Sequence, residues 1–375
     1  MPHAIQRRQW LLGAAALTWP SWGMGGALEP RPLHFPRDHG SHNGSQTEWW
    51  YLTGQVLAAG NRTYGFQVTF FRSRVDGTET LTSRLAARQL LFAHAAITDL
   101  EGGRLWHDQR IVRWNGTTPA SEAGRNSLGA AYAREDDMGV ALRGWTMARR
   151  PNGSYRAQIK ASDFQLDLQA TPRQAILLQG QQGFSRKGPE REQSSFYVSH
   201  PQLAVQGQLA IRGQPVAVQQ GRAWLDHEWS ESLLHPEAAG GDWIGMNLDN
   251  GDSLTAFRLR RADGSTLWAG GSWRAAAQAG EPLGATAFSP DEVRFEPLRW
   301  WNSPATKARY PVSWRVHTPV GTFTVQALLD AQELDNRQST GTVYWEGLSD
   351  LLDARQQRVG RGYLEMTGYA QRLTL

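Results

Sequence analysis

Four short segments of the chain set an acid against an indole or a phenol: Glu48-Trp49-Trp50-Tyr51, Trp224-Leu225-Asp226-His227-Glu228-Trp229, Asp242-Trp243 and Tyr344-Trp345-Glu346. A carboxyl group beside aromatic surface is partly desolvated, so its charged form is disfavoured, its pKa rises and it can hold a proton near neutrality. The aromatic face stabilises positive charge, by about 2 kcal/mol where water is excluded. Together they form a proton donor with an aromatic wall, a combination that suits reactions passing through a carbocation. Glu48, Asp226 and Glu228 are the candidate acids, His94 and His227 the candidate relays, and Trp50, Tyr51, Tyr197 and Trp229 the candidate walls. Most of the seventeen tryptophans, by contrast, read as core fillers.

Other chemistries find less support. The absence of cysteine excludes disulfides, thiolate zinc sites, iron–sulfur clusters and a thiol nucleophile. Ser194 and Ser195 lack the Gly-x-Ser-x-Gly elbow of an α/β-hydrolase. Asp38, His39 and His42 could supply metal ligands, and a site with His227 and Glu228 can be drawn, but this loop gives nothing to fix the two rings on one side. The reading is therefore no metal and no cofactor. His94 lies in the apolar run Leu91 to Ile97 and is either a hydrogen-bonded core residue or an acid or base lining a barrel. Asp226-His227-Glu228 looks like part of a triad, yet strand alternation turns His227 away from both neighbours, so its partner comes from elsewhere.

The elements that position these groups are strands. Tyr64, Phe66, Val68 and Phe70 alternate with Gly65, Gln67, Thr69 and Phe71, the period of a strand with one face more buried than the other. Turn signals such as Gly60-Asn61, Asn152-Gly153, Arg212-Gly213, Asn250-Gly251 and Asp263-Gly264 recur between such runs. Strands are predicted over 48–57, 63–72, 88–98, 104–114, 139–149, 154–161, 163–170, 203–211 and 215–224, then over 242–249, 252–260, 265–274, 292–301, 310–318, 321–329, 341–349 and 359–369. This predicts an all-β chain of two antiparallel barrels in tandem, closure removing the edges so many hairpins would expose. An acid-Trp pair opens a hairpin in each half, at Glu48-Trp49 and at Asp242-Trp243, which suggests a duplication. The domains are placed at 28–220 and 221–375, with the join between 215 and 235.

The first residues are an address. Arg7-Arg8-Gln9-Trp10-Leu11-Leu12, an apolar run to Leu17 and small residues ending near Ala27 read as a twin-arginine export signal over residues 1–27. The run falls short of the roughly 20 apolar residues that span a bilayer. A periplasmic or secreted protein without a transmembrane segment is expected after its removal. The whole chain carries 39 basic and 35 acidic residues, and losing Arg7 and Arg8 leaves +2. Positive charge is almost all arginine, without the aromatic-interleaved clusters that grip nucleic acid, so the expected partner is a hydrophobic small molecule.

Several motifs in register carry a resemblance. Phe35 to His42 leading into Thr47 to Gly54, Phe92-Ala93-His94-Ala95, Ser185-Arg186-Lys187-Gly188 to Tyr197, Trp224 to Ser230, Tyr344 to Gly347 and Gly362 to Tyr369 resemble the AttH/CrtC-like family of bacterial proteins labelled predicted secreted hydrolases. The resemblance spans residues 33 to 372. It implies two lipocalin-like barrels and kinship with carotenoid 1,2-hydratases, which add water to a terminal isopropylidene double bond without a cofactor. It implies roles for His227 and Trp229, which match a His and Trp two apart, and for Asp249, which stands where a second acid is expected; Asn247 stands where that pattern has Tyr. Three readings remain open: a cofactor-independent hydratase or lyase of an isoprenoid-like substrate, a non-catalytic carrier of a hydrophobic ligand, and a secreted hydrolase.

Overall fold

Alternating side chains turn most of the described chain into antiparallel strands. The computed structural model describes residues 28–78, 87–127, 129–232, 234–276 and 285–372, and the export signal read in residues 1–27 lies outside them. Four long strands come first: β1 (Thr47–Ala58), β2 (Thr63–Arg74), β3 (Gln89–Asp99) and β4 (Arg104–Trp114). Shorter ones follow: β5 (Ala131–Ala133), β6 (Gly139–Leu142), β7 (Trp145–Arg149), β8 (Tyr155–Lys160), β9 (Phe164–Thr171), β10 (Leu177–Leu178) and β11 (Phe184–Arg186). A long hairpin of β12 (Ser194–Ile211) and β13 (Gln214–Ser230) completes this half. The second half contains β14 (Gly240–Leu248), β15 (Ser253–Arg260), β16 (Thr266–Arg274), β17 (Thr286–Phe288), β18 (Arg294–Asn302), β19 (Arg309–Thr318), β20 (Gly321–Ala327), β21 (Glu333–Asn336), β22 (Thr342–Leu352) and β23 (Arg358–Met366).

Two sheets result. The first has the order β4-β3-β2-β1-β13-β12-β9-β8-β7-β6-β5, with β10 and β11 on β12; the second has the order β17-β16-β15-β14-β23-β22-β20-β19-β18, with β21 on β22. Each wraps its own core, around Trp50, Phe66, Trp145 and Leu168 in the first and around Ile244, Trp314, Trp345 and Leu364 in the second. These are the expected tandem lipocalin-like β-barrels. The first is nearly closed, β4 lying alongside β5 and β6. In the second, β17 and β18 are edges among the described residues.

The two orders correspond strand for strand: β1 to β4 with β14 to β17, β13 with β23, β12 with β22, and β9, β8, β7 with β20, β19, β18. The register agrees as well. Glu48 faces Arg72 across β1 and β2, and Asp242 faces Arg258 across β14 and β15. Trp49 faces Glu228, and Trp243 faces Glu365. Glu228 in turn faces Tyr197, and Glu365 faces Glu346. The repeated acid-Trp hairpin is thus the visible part of a repeat that runs through both sheets.

Three strand expectations change. The single strand expected over 139–149 is a hairpin, because Arg143 and Gly144 both take positive φ, 50° and 85°, and reverse the chain between β6 and β7. β12 starts at Ser194 rather than 203, and β13 runs on to Ser230. Buried Ser195, Ser199, His200, Asp226 and Glu228 break the apolar alternation there and hide both extensions. The join placed at 220/221 consequently falls inside β13, and the chain passes from one sheet to the other between Ser230 and Gly240.

The barrels are tied across their junction by polar contacts. Thr98 Oγ1 donates to Gln332 Oε1 (2.9 Å), Gln109 Nε2 to the Asp335 carbonyl (2.8 Å) and Arg361 Nη1 to Gln55 Oε1 (2.7 Å). Buried Asn247 accepts from the Gln202 N–H (2.7 Å) and donates to the Ala223 carbonyl (3.1 Å). Gly65 marks a close approach of the two, since a Cβ there would lie 2.8 Å from Tyr363 Oη.

Candidate active site between the barrels

Strand parity sorts the candidate residues into two groups. On β1, Glu48 and Trp50 point into the first barrel, while Trp49 and Tyr51 point toward the second. On β13, Leu225, His227 and Trp229 point inward, while Asp226 and Glu228 point outward. A cavity of about 230 Å3 lies where the outward faces meet the second barrel. Trp49, Tyr51, Phe71, Phe92, His94 and Tyr197 line it from one side, and Trp243, Phe257 and Tyr344 from the other. Six acids line it; Glu48 and Asp242 are each paired with an arginine, and four are not: Asp226, Glu228, Glu346 and Glu365.

All four are held toward their neutral forms. Burial pushes Asp226 up to about 7, against the opposing effect of hydrogen bonds to its Oδ1 from Ser199 Oγ and from Trp224 Nε1 (2.7 Å). Burial raises Glu228, with Lys187 working in the other direction. Burial and the neighbouring Glu365 carry Glu346 well above the ordinary carboxyl range. Burial and Glu228 bring Glu365 to about 7. Tyr51 and Glu346 interact with each other at the cavity wall, the phenol opposing part of the upward effect of burial on the carboxyl. Tyr197 Oη accepts from Trp243 Nε1 (3.2 Å), linking the two barrels across the site.

His94 is part of this wall and is neutral, burial lowering it to about 3. Its Nδ1 lies 2.8 Å from Tyr344 Oη and its Nε2 3.0 Å from Ser339 Oγ, so both ring nitrogens are engaged with the second barrel. His94 is thus a hydrogen-bonded interior histidine that also borders the cavity.

The inward group forms a separate network. Glu48 Oε1 lies 2.8 Å from His42 Nδ1 and 2.9 Å from His227 Nε2, and Arg72 Nε donates to Glu48 Oε2 at 2.9 Å. His42 Nε2 reaches Asp38 Oδ1 (3.0 Å), which Arg31 also holds. Burial alone would raise Glu48, but the Arg72 charge and the hydrogen bonds from His227 and His42 outweigh it and hold the carboxyl well below its usual range. Trp229 stacks on His42 at 3.6 Å and on Phe196 at 5.3 Å, and Trp50 stacks on His227 at 5.0 Å.

These positions correct several assignments. Glu48 is an ionised partner of Arg72 and cannot be the neutral proton donor it was expected to be. His227, Trp50 and Trp229 belong to the interior network rather than the cavity wall, because their parity on β1 and β13 is that of the barrel core. Asp249 sits at an exposed turn, paired with Arg222 (2.7 Å) and Arg358 (3.5 Å) and away from the cavity. Asp226, Glu228, His94, Tyr51 and Tyr197 are brought together at the cavity as candidate site residues.

Glu346, Glu365, Lys187 and Tyr344 join the site without having been singled out as functional. Glu346 carried the same aromatic-acid signal as Glu48, in Tyr344-Trp345-Glu346. Glu365 has no such neighbour, and only its pairing with Glu346 and Trp243 reveals it. Ligand atoms of His42, Glu48 and His227 lie within 4.8 Å of one another and are the group best able to hold a metal among the described residues. The chemistry of this set does not favour one: Glu48 already accepts from Arg72, and a dication would share that carboxylate with a guanidinium 2.9 Å away.

Fold and site together define a class: a tandem lipocalin-like protein with a carboxyl-lined aromatic cavity at the junction of its barrels. The AttH-like family profile matches residues 26–369, and the chain belongs to that family. A crystal structure of a protein from Nitrosomonas europaea assigned as AttH is 42% identical and superposes with a TM-score of 0.80, covering 92% of this chain and 99% of that one. Kievitone hydratase from Nectria haematococca shares the fold at 13% identity and a TM-score of 0.68, covering 91% of this chain and 94% of that one. CghA bound to Sch210972 gives 12% identity and a TM-score of 0.50 over 86% of this chain and 88% of that one. No curated protein matches the sequence.

Proposed function

We propose that the chain is a cofactor-independent hydratase, or a lyase running the same chemistry in reverse, acting on a double bond of an apolar, isoprenoid-like small molecule after twin-arginine export. The observation that carries this reading is the convergence on one aromatic-walled cavity of four buried carboxyl groups, each shifted toward its neutral form. Asp226 is poised to give its proton to one alkene carbon. The π pair forms the new C–H bond, and the cation left on the other carbon is stabilised by the faces of Trp49 and Trp243. Water attacks that carbon, and its proton passes to whichever of the Glu346 and Glu365 pair is ionised, with exchange through solvent restoring Asp226. Kievitone hydratase, a protein of this fold, carries hydration in its name.

The test is incubation of the purified protein with acyclic isoprenoid alkenes in H2 18O, read by mass spectrometry. A product heavier by one labelled water, abolished in Asp226→Asn and reduced at least about 100-fold in Glu365→Gln, supports acid-catalysed hydration. Binding of the alkene with no product in any assay would instead favour the carrier reading, which the enclosed apolar walls also suit.

A further inference from the structure

Three cations border the cavity: Arg72, Arg258 and Lys187. Arg72 donates to Glu48 and Arg258 to Asp242 (2.7 Å), so both guanidinium groups are neutralised at hydrogen-bond distance. Lys187 differs. Its Nζ donates to Ser230 Oγ at 2.6 Å; the Ser230 hydroxyl itself donates to the Ser232 carbonyl (2.8 Å) and so acts toward the lysine purely as an acceptor. The nearest carboxylate oxygen, Glu228 Oε1, is 3.8 Å away, beyond hydrogen-bond reach, and the Trp49 ring centroid is 5.5 Å away. An ammonium carries three donors. Among the described residues only one of the three is used.

A buried cation with idle donors is costly unless something completes it. Aromatic Trp49, Tyr51, Tyr197 and Trp243 are on the same cavity wall, and Glu228, raised by burial, stays beyond hydrogen-bond reach of the ammonium. We infer that Lys187 receives the carboxylate headgroup of an amphipathic ligand whose apolar chain lies along the aromatic walls between the barrels. Trp49 covers the apolar stem of the headgroup region, and Ser230 fixes the direction of the ammonium. This selects one end of the ligand and so sets which bond reaches Asp226. The hydratase reading alone does not call for an acidic ligand, and the headgroup site does not require that a reaction follow.

Decanoic acid and methyl decanoate serve as probes, since neither has a double bond and their binding is independent of any hydration. Isothermal titration at neutral pH should show the acid binding at least about ten-fold tighter than the ester to the wild-type protein. Lys187→Met should abolish that preference by weakening the acid while leaving the ester unchanged, and Lys187→Arg, which keeps the cation, should retain most of it. Equal affinity for acid and ester in the wild type, failure of both to bind, or a preference that survives in Lys187→Met would overturn the assignment. A preference lost as expected, together with no hydration of any alkene, would leave the headgroup site standing and remove only the catalytic reading.

Discussion

Replacing Asp226 with Asn tests the physical basis of the site separately from any substrate. The carboxyl is moved from an ordinary 3.8 to about 7 by burial among aromatic walls. Each tenfold change in proton affinity is worth about 1.4 kcal/mol, so carrying this group ionised in the folded protein costs about 4 kcal/mol. The sign follows from proton counting. Below the unfolded value both states are protonated and there is no cost. Between the unfolded and folded values the unfolded chain releases the proton that the folded protein keeps, so stability falls as pH rises. Above the folded value both states are ionised and the cost is complete and constant. About 3 kcal/mol of the loss should fall between pH 5 and pH 8. Asn cannot ionise, and its side-chain oxygen still accepts from Ser199 and Trp224. Urea unfolding of wild type and variant at both pH values isolates the effect, because a pH-independent offset from the new amide cancels in the comparison. Asp226→Asn should gain on the wild type by about 3 kcal/mol on going from pH 5 to pH 8. A change of less than about 1 kcal/mol would mean that Asp226 is ionised at little cost in the folded protein, and the proposed proton donor would have no proton to give.

Glu48→Gln leaves Arg72 buried with a neutral partner and should destabilise the fold by about 3–5 kcal/mol in urea at pH 7; a loss below about 1 kcal/mol would contradict the ion-pair assignment. Gly65→Val forces a side chain against Tyr363 Oη at 2.8 Å and Leu348 Cβ at 3.2 Å, so a loss of about 1–3 kcal/mol is expected in thermal unfolding. An unchanged melting temperature would show that the barrels are not pressed together there. Asp249→Asn alters only an exposed pairing with arginines and should stay within about 0.5 kcal/mol of wild type, with unchanged product formation in the labelled-water assay. Loss of turnover in that variant would return Asp249 to the site.

The fold was largely readable because a period of two, interrupted by Gly- and Asn-rich turns, admits little besides antiparallel strands. Where alternation failed, buried polar residues were the cause: Ser195, Ser199 and Asp226 lie in strands yet look like loop or site residues. The candidate site was readable in part. Aromatic-acid juxtaposition singled out Asp226, Glu228 and Tyr51, which line the cavity, but it could not say which face of β1 or β13 was the inner one. That choice is made by partners distant in sequence. Arg72 and His42 draw Glu48 inward and ionise it, and β23 places Glu365 opposite Glu346. A carboxyl group is a proton donor or half of an ion pair according to a cation that may be many residues away, as the 24 positions between Glu48 and Arg72 illustrate.

The strand-for-strand correspondence of the two sheets has a consequence for selectivity. A pocket on the axis of a symmetric dimer would offer its occupant every group twice and accept it equally well in either direction. In this chain the two copies are covalently joined and have drifted apart at matched positions: Tyr197 stands opposite Glu228 where Glu346 stands opposite Glu365, and Asp226 pairs with Tyr51 where Tyr363 pairs with Gly245. An asymmetric molecule lying across the seam would meet a different chemical face on each side, a distinction that two identical copies could not present.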